Sequence, residues 1–257
     1  MPWDFVAILL VLGVFVPWRG AVRMRKLLAQ PDLSSADRLA LYASTMAFQW
    51  LAAGVVFWRA LARHLSLADL ALSLGNLRLT LSVALPLIAL VALNQYFSIR
   101  RLAGIPSARR GFLGEMARKV MPQNSIEQLV FFALVVTVSL CEEFIYRGFV
   151  QAIFQNLLPA FAVIGILASA VFFAAAHVYQ GKRGLATTFV IGIVFGALRV
   201  WTRSLVPSML AHFAADFSAG FAGPRFLNRG SQTGNAESSD APEMEASRKD
   251  LRPGSNK

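Results

Sequence analysis

The stretch Val135-Val-Thr-Val-Ser-Leu-Cys-Glu-Glu-Phe-Ile-Tyr-Arg147 decides how the rest of the chain is read. An apolar run long enough to enter a bilayer carries two adjacent carboxylates and then an arginine. Ionisable groups in a membrane span cost roughly 2.5–3.5 kcal/mol each on insertion scales, so they mark a site by default. Glu143 and Arg147 stand at i and i+4, share a helix face and can pair. Glu142 lies about 100° round the helix from Glu143, so its partner has to come from another part of the chain.

Working outward, two more polar groups interrupt apolar segments. His177 ends Val171-Phe-Phe-Ala-Ala-Ala-His177, and His212 and Asp216 sit four apart in Leu210-Ala-His-Phe-Ala-Ala-Asp216. Of three histidines in the chain, two are embedded in this way. Phe173 and His177 are also i and i+4, so a ring can wall the imidazole.

Composition sets the environment of these groups. The chain has 257 residues, of which 56% are hydrophobic and 15% charged. A soluble domain carries about 25% charged residues, so the composition points to an all-α, polytopic transmembrane helical bundle. Seven spans are expected, at about 3–18, 39–58, 79–97, 126–150, 160–179, 185–201 and 204–222, each close to the length a helix needs to cross a bilayer. Trp3 and Trp18 bracket the first as interfacial anchors. It has no basic stretch before it and no small-residue cleavage site after it, so it reads as a retained span. Pro86 should kink the third span.

The net charge of +11 would suggest nucleic acid in a soluble protein. Here Arg and Lys gather between apolar runs, which orients a membrane protein and leaves nucleic acid out. Arg19, Arg23, Arg25 and Lys26 are expected in a loop after span one. Arg100, Arg101, Arg109, Arg110, Arg118 and Lys119 lie between spans three and four, where Arg109 and Arg110 can also attract anionic lipid. The bias predicts an outside N-terminus and a cytoplasmic C-terminus. Residues 223–257 are polar and should form a disordered tail. The division expected is 1–125 for the first spans and basic loop, 126–222 for a core with the embedded polar groups, and 223–257 for the tail. The single cysteine, Cys141, rules out an internal disulfide and a Cys-based zinc site. Burial beside a carboxylate disfavours its thiolate, so it reads as packing.

A helix running from about Leu129 to Phe154 puts Glu142 near mid-bilayer, and Ser204 with Pro207 starts a last helix that carries His212 about 12 Å into the membrane at 1.5 Å per residue. Counted from Pro159, His177 falls near the far end of its own helix. If Glu142, His177 and His212 converge in a wet cavity, the carboxylate is partly stripped of water and becomes a usable general base. The imidazoles can orient a water, stabilise an oxyanion, or hold a divalent metal such as zinc together with Glu142. That set suits hydrolysis of a peptide bond. Ser139 and Ser208 have no evident base and suit hydrogen bonds to their own helices.

At these residues the chain resembles the CPBP family of intramembrane proteases, also called the CAAX prenyl protease or Abi family. The matching residues are Glu142-Glu143-Phe-Ile-Tyr-Arg147, Phe173-Ala-Ala-Ala-His177 and His212-Phe-Ala-Ala-Asp216. Gly192-Ile-Val-Phe-Gly196 and the run from Ser204 to His212 also resemble the family's approach to its last motif, so the likeness covers about Gln128 to Phe217. It implies a four-helix catalytic core in the second half and an endopeptidase acting on a membrane-associated peptide or protein. It further implies that Glu142 activates water, His177 assists, and His212 with Asp216 binds the oxyanion, while Glu143 and Arg147 brace the helix. Asp216 stands where the prenyl proteases typically have Asn. An ionised carboxylate cannot donate, which favours Asp216 holding His212 or ligating a metal. The resemblance also implies an integral, multi-pass protein of the bacterial plasma membrane. A bacteriocin-immunity role, a non-catalytic membrane partner with the same fold, or a proton-relaying transporter are the competing readings.

Overall fold

The computed structural model describes residues 1–106, 109, 111–158 and 162–221. The expected disordered tail, residue Arg110 and the helix start at Pro159 lie outside the described residues. Among the described residues there are eight helices and no strand. They are α1 (Trp3–Ala29), α2 (Ser35–Ala62), α3 (Leu77–Ala103), α4 (Gly111–Val120), α5 (Ser125–Leu157), α6 (Ala162–Ala176), α7 (Gly181–Thr202) and α8 (206–221). Among the described residues five helical segments are long and apolar enough to cross a membrane, where seven spans were expected; Ala162–Ala176 is apolar but shorter. Large apolar side chains such as Trp3, Leu51, Leu85 and Val163 are more than half exposed on these helices, which is the surface a bilayer covers. The chain is an integral, multi-pass membrane protein.

Two expected loops are helical. α1 does not stop at Trp18 but continues to Ala29, so Arg19, Arg23, Arg25 and Lys26 lie on a helix. Pro17 does not break it because the preceding turn, Val11–Phe15, widens to a π-helix, and such local adjustment accommodates the missing N–H. The gap between the third and fourth expected spans contains α4. There Lys119 is buried and its Nζ donates to Leu28 O and Gln30 O at 2.5 Å each, capping the carbonyl end of α1. Pro86 lies inside α3, which runs on as one helix.

Three helix starts follow directly from their sequences. Ser34 and Asp37 form a capping box at α2, and Asn124 Oδ1 accepts from Glu127 N at α5. Ser204 accepts from Val206 N at 3.2 Å and so turns the chain into α8, with Pro207 in its first turn. α2 is tied to α5 by a buried bidentate pair: Arg38 Nε and Nη2 donate to Glu127 Oε2 and Oε1 at 2.8 and 3.0 Å. Tyr42 Oη, on the same helix, donates to Val120 O.

α5 and α6 form an antiparallel hairpin, and its proportions place the polar groups. Fifteen residues separate Glu142 from Leu157 on the way into the hairpin, and fifteen separate Ala162 from His177 on the way out. At 1.5 Å per residue both side chains lie roughly 22 Å from the hairpin end. α6 is short, so its far end is level with Glu142 rather than beyond it. α7 packs closely on α6 through glycine: a Cβ on Gly192 would stand 2.9 Å from Ala170 Cα. Small residues at such contacts let membrane helices approach.

Candidate active site

Glu143 and Arg147 pair as their spacing requires, with Arg147 Nη1 donating to Glu143 Oε1 at 2.8 Å and both side chains fully buried. The Arg147 guanidinium lies over the Phe173 ring at 4.0 Å and near Phe195 at 5.4 Å, so aromatic faces supply part of its solvation. Arg147 belongs to a second π-helical segment, Phe144–Val150, which begins directly after the two glutamates. Such segments concentrate at functional sites because the wider turn re-aims side chains.

The second partner of Glu143 is His212, whose Nδ1 lies 3.0 Å from Glu143 Oε1. A carboxylate only accepts, so Nδ1 carries the proton and donates. His212 Nε2 then faces Asp216 Oδ2 at 3.6 Å, too far for a direct hydrogen bond. The sequence expected Asp216 to hold His212 and gave Glu143 only to Arg147. In the folded chain Glu143 makes the closer hold on His212.

Glu142 points to the other side of α5. Gln49 Nε2, from α2, donates to Glu142 Oε1 at 2.7 Å. Glu142 Oε2 is buried without a hydrogen-bond partner among the described residues, and His177 Nε2 stands 4.0 Å from it. His177 Nδ1 lies 2.8 Å from Phe173 O, a pure acceptor, which fixes the proton on Nδ1 and leaves the Nε2 lone pair facing Glu142. The Phe173 ring is edge-on to His177 with centroids 4.7 Å apart, forming the expected wall.

Glu142 and His177 share a cavity of about 300 Å³ between α1, α2 and α5. Leu12, Val16 and Ala52 give it apolar sides, while Gln49 and Tyr179 lie beside the acid and the imidazole. His212 does not line this cavity. Its ring packs against that of Phe173, with centroids 5.9 Å apart. The structure thus brings Glu142 and His177 together, and Glu143, Arg147, His212 and Asp216 together, with the Phe173 ring in contact with both imidazoles.

This arrangement bears on a metal. Among the described residues no three of His, Cys, Asp and Glu gather closely enough to hold one. The two imidazoles face different carboxylates, His177 Nε2 standing 4.0 Å from Glu142 Oε2 and His212 Nδ1 3.0 Å from Glu143 Oε1. Cys141 is 1% exposed and packs among apolar neighbours, as a structural cysteine does.

Gln49 and Tyr179 were not singled out from the sequence. Gln49 had a readable signal, an amide next to Trp50 within the apolar α2, of the same kind that exposed the glutamates. Tyr179 lies in the turn after His177, its ring 5.8 Å from the imidazole, and nothing in its local sequence marks it.

Residues 124–218 match the sequence model of the type II CAAX prenyl endopeptidase Rce1-like family. The match spans 95 of the 257 residues, so the likeness is one of this stretch rather than of the whole chain. The Rce1-like region contains Glu142, Glu143, Arg147, Phe173, His177, His212 and Asp216, whereas α1, α2 and Gln49 fall before it. No curated protein and no solved structure matches the chain. The match supports a CAAX-protease-like function for this membrane-embedded chain.

Proposed function

We propose that the protein is an intramembrane endopeptidase of the bacterial plasma membrane, hydrolysing a peptide bond in a membrane-associated peptide or protein with a water activated by Glu142. One observation carries this reading: Glu142 Oε2 and His177 Nε2, both proton acceptors, face each other at 4.0 Å in a cavity. A single water bridges such a gap, donating one proton to each acceptor and presenting its lone pairs to a carbonyl. Glu142 takes a proton as the oxygen attacks the carbonyl carbon, and the protonated acid returns it to the departing amine as the C–N bond breaks. Gln49 occupies Oε1 and so keeps Oε2 for the water.

The negative charge that develops on the carbonyl oxygen needs a donor. His212 stands just outside the wall of this cavity, in ring contact with Phe173. With Nδ1 committed to Glu143 it offers only Nε2, when doubly protonated, to a carbonyl oxygen that reaches that side, and Asp216 orients the ring instead of donating itself. Glu143 and Arg147 keep α5 and His212 in register. No step of this reading is routed through a metal.

The test uses the protein in lipid nanodiscs with a library of lipidated peptides. Glu142→Gln should lower cleavage by about 10²–10⁴-fold, the usual contribution of a general base, and His177→Ala should have a comparable effect. Cleavage that persists in Glu142→Gln would defeat this mechanism. Chelator inhibition reversed by zinc would replace it with a metal-dependent one.

A further inference from the structure

We propose that Arg19 and Arg23 form an anion-binding wall of the same cavity and select substrates that carry a carboxylate near the cleaved bond. This rests on the hydrolytic reading above and adds a specificity determinant from α1, outside the Rce1-like region. Four basic residues occupy the second half of α1, and they divide by face. Arg25 and Lys26 are exposed, as charges that only set orientation are. Arg19 and Arg23 are half-buried, stand at i and i+4, and both line the cavity that holds Glu142 and His177.

Their partners are neutral. The Arg19 guanidinium lies over the Phe48 ring at 4.8 Å. Arg23 Nη2 donates to Ser44 Oγ at 2.6 Å, and Nη1 to Thr45 Oγ1 at 3.4 Å. No carboxylate among the described residues pairs with either guanidinium. Like charges at i and i+4 repel, and partial burial strengthens the repulsion. An anion beside them relieves that cost, and a carboxylate suits the guanidinium fork.

The spacing suits a peptide. Thr45, which receives Arg23, and Gln49, which holds Glu142, are one turn apart on α2, roughly 6 Å along its axis. An extended chain covers that distance in about two residues. Leu12, Val16 and Ala52 offer apolar walls for the intervening side chains. The carboxylate can be the substrate's terminal group or an acidic side chain, and both present the same chemistry to the arginines.

The experiment measures binding first, with the full chain carrying Glu142→Gln in phosphatidylcholine nanodiscs. The probes are an N-lauroylated fluorescent peptide of Ala and Leu with a free C-terminus, its C-terminal amide, and the amide with one internal Asp. The free acid, the Asp form or both should bind on the order of tenfold or more tightly than the plain amide, since hydrogen bonds to charged groups carry that weight. The form that binds identifies the source of the carboxylate. Arg19→Gln with Arg23→Gln should erase the preference, and Arg23→Lys should keep part of it. Equal binding of all three probes overturns the proposal, as does a preference that survives the double glutamine variant. A preference without any cleavage by the unsubstituted protein would sink the hydrolytic reading and leave the anion wall standing. Cleavage without preference would do the reverse.

Discussion

His212 Nδ1 donates to Glu143 Oε1 at 3.0 Å, on the same oxygen that receives Arg147 at 2.8 Å. One carboxylate therefore fixes a buried cation on its own helix and an imidazole 69 residues away. Removing it leaves Arg147 charged and unpaired in the core, a change that costs about 3–5 kcal/mol at buried ion pairs. Glu143→Ala should lower the unfolding midpoint in detergent accordingly. Adding Arg147→Met removes the stranded charge and should recover much of that stability. Activity should not return with it, because His212 still lacks its orienting group. A double variant that regains both would show that the histidine needs no carboxylate.

Gln49 is a positioning residue for Glu142. Replacing it with Leu removes the 2.7 Å donation to Oε1, so the carboxylate is free to turn away from His177. The expected result is a fall in kcat of about tenfold or more, the weight of a hydrogen bond to a charged group, with KM little changed. Gln49→Asn is one methylene short and should not rescue. A change confined to KM would mean that Gln49 contacts substrate rather than the base.

Two glycines make a matched pair for stability. Gly192 on α7 leaves no room for a Cβ, which would stand 2.9 Å from Ala170 Cα, and Gly54 on α2 has nothing within 4 Å. Gly192→Ala should destabilise by about 1–3 kcal/mol through overpacking. Gly54→Ala should be neutral or add up to about 1 kcal/mol from helix propensity. Thermal unfolding of both variants in one detergent gives the comparison.

The turn between α2 and α3 should be acid-sensitive. Ser66 Oγ and Ser66 N donate to Asp69 Oδ2 at 2.7 and 2.8 Å, and these bonds hold the Asp69 carboxyl below its ordinary range. The folded state thus releases the proton more readily than the unfolded chain, whose value is roughly 4. The stabilisation is complete above that pH and is lost as pH falls through the lowered folded value. Hydrogen exchange at residues 66–71 should speed up in that window, and Asp69→Asn should flatten the dependence.

How far the sequence reached can be seen at particular residues. Glu143 with Arg147, and Phe173 with His177, were legible because i,i+4 neighbours meet on any helix. The need for Glu142 to find a partner elsewhere was legible for the same reason. Its identity was not, since Gln49 lies 93 residues away and arrives only when α2 packs on α5. The end of α1 was misjudged because a tryptophan followed by arginines looks like an interfacial boundary, and the π-turn that absorbs Pro17 leaves no residue signature.

By itself the sequence determined that this chain lives in a membrane, that its helices carry acids and imidazoles at set phases, and which of those are local pairs. Apolar length and helical period are properties of the chain alone. The tertiary structure decided the rest: that α6 is short enough to bring His177 level with Glu142, that each imidazole faces a different carboxylate, and that α1 turns two arginines inward. These depend on how far one helix slides and rotates against another, which is fixed by side-chain packing between segments distant in the chain.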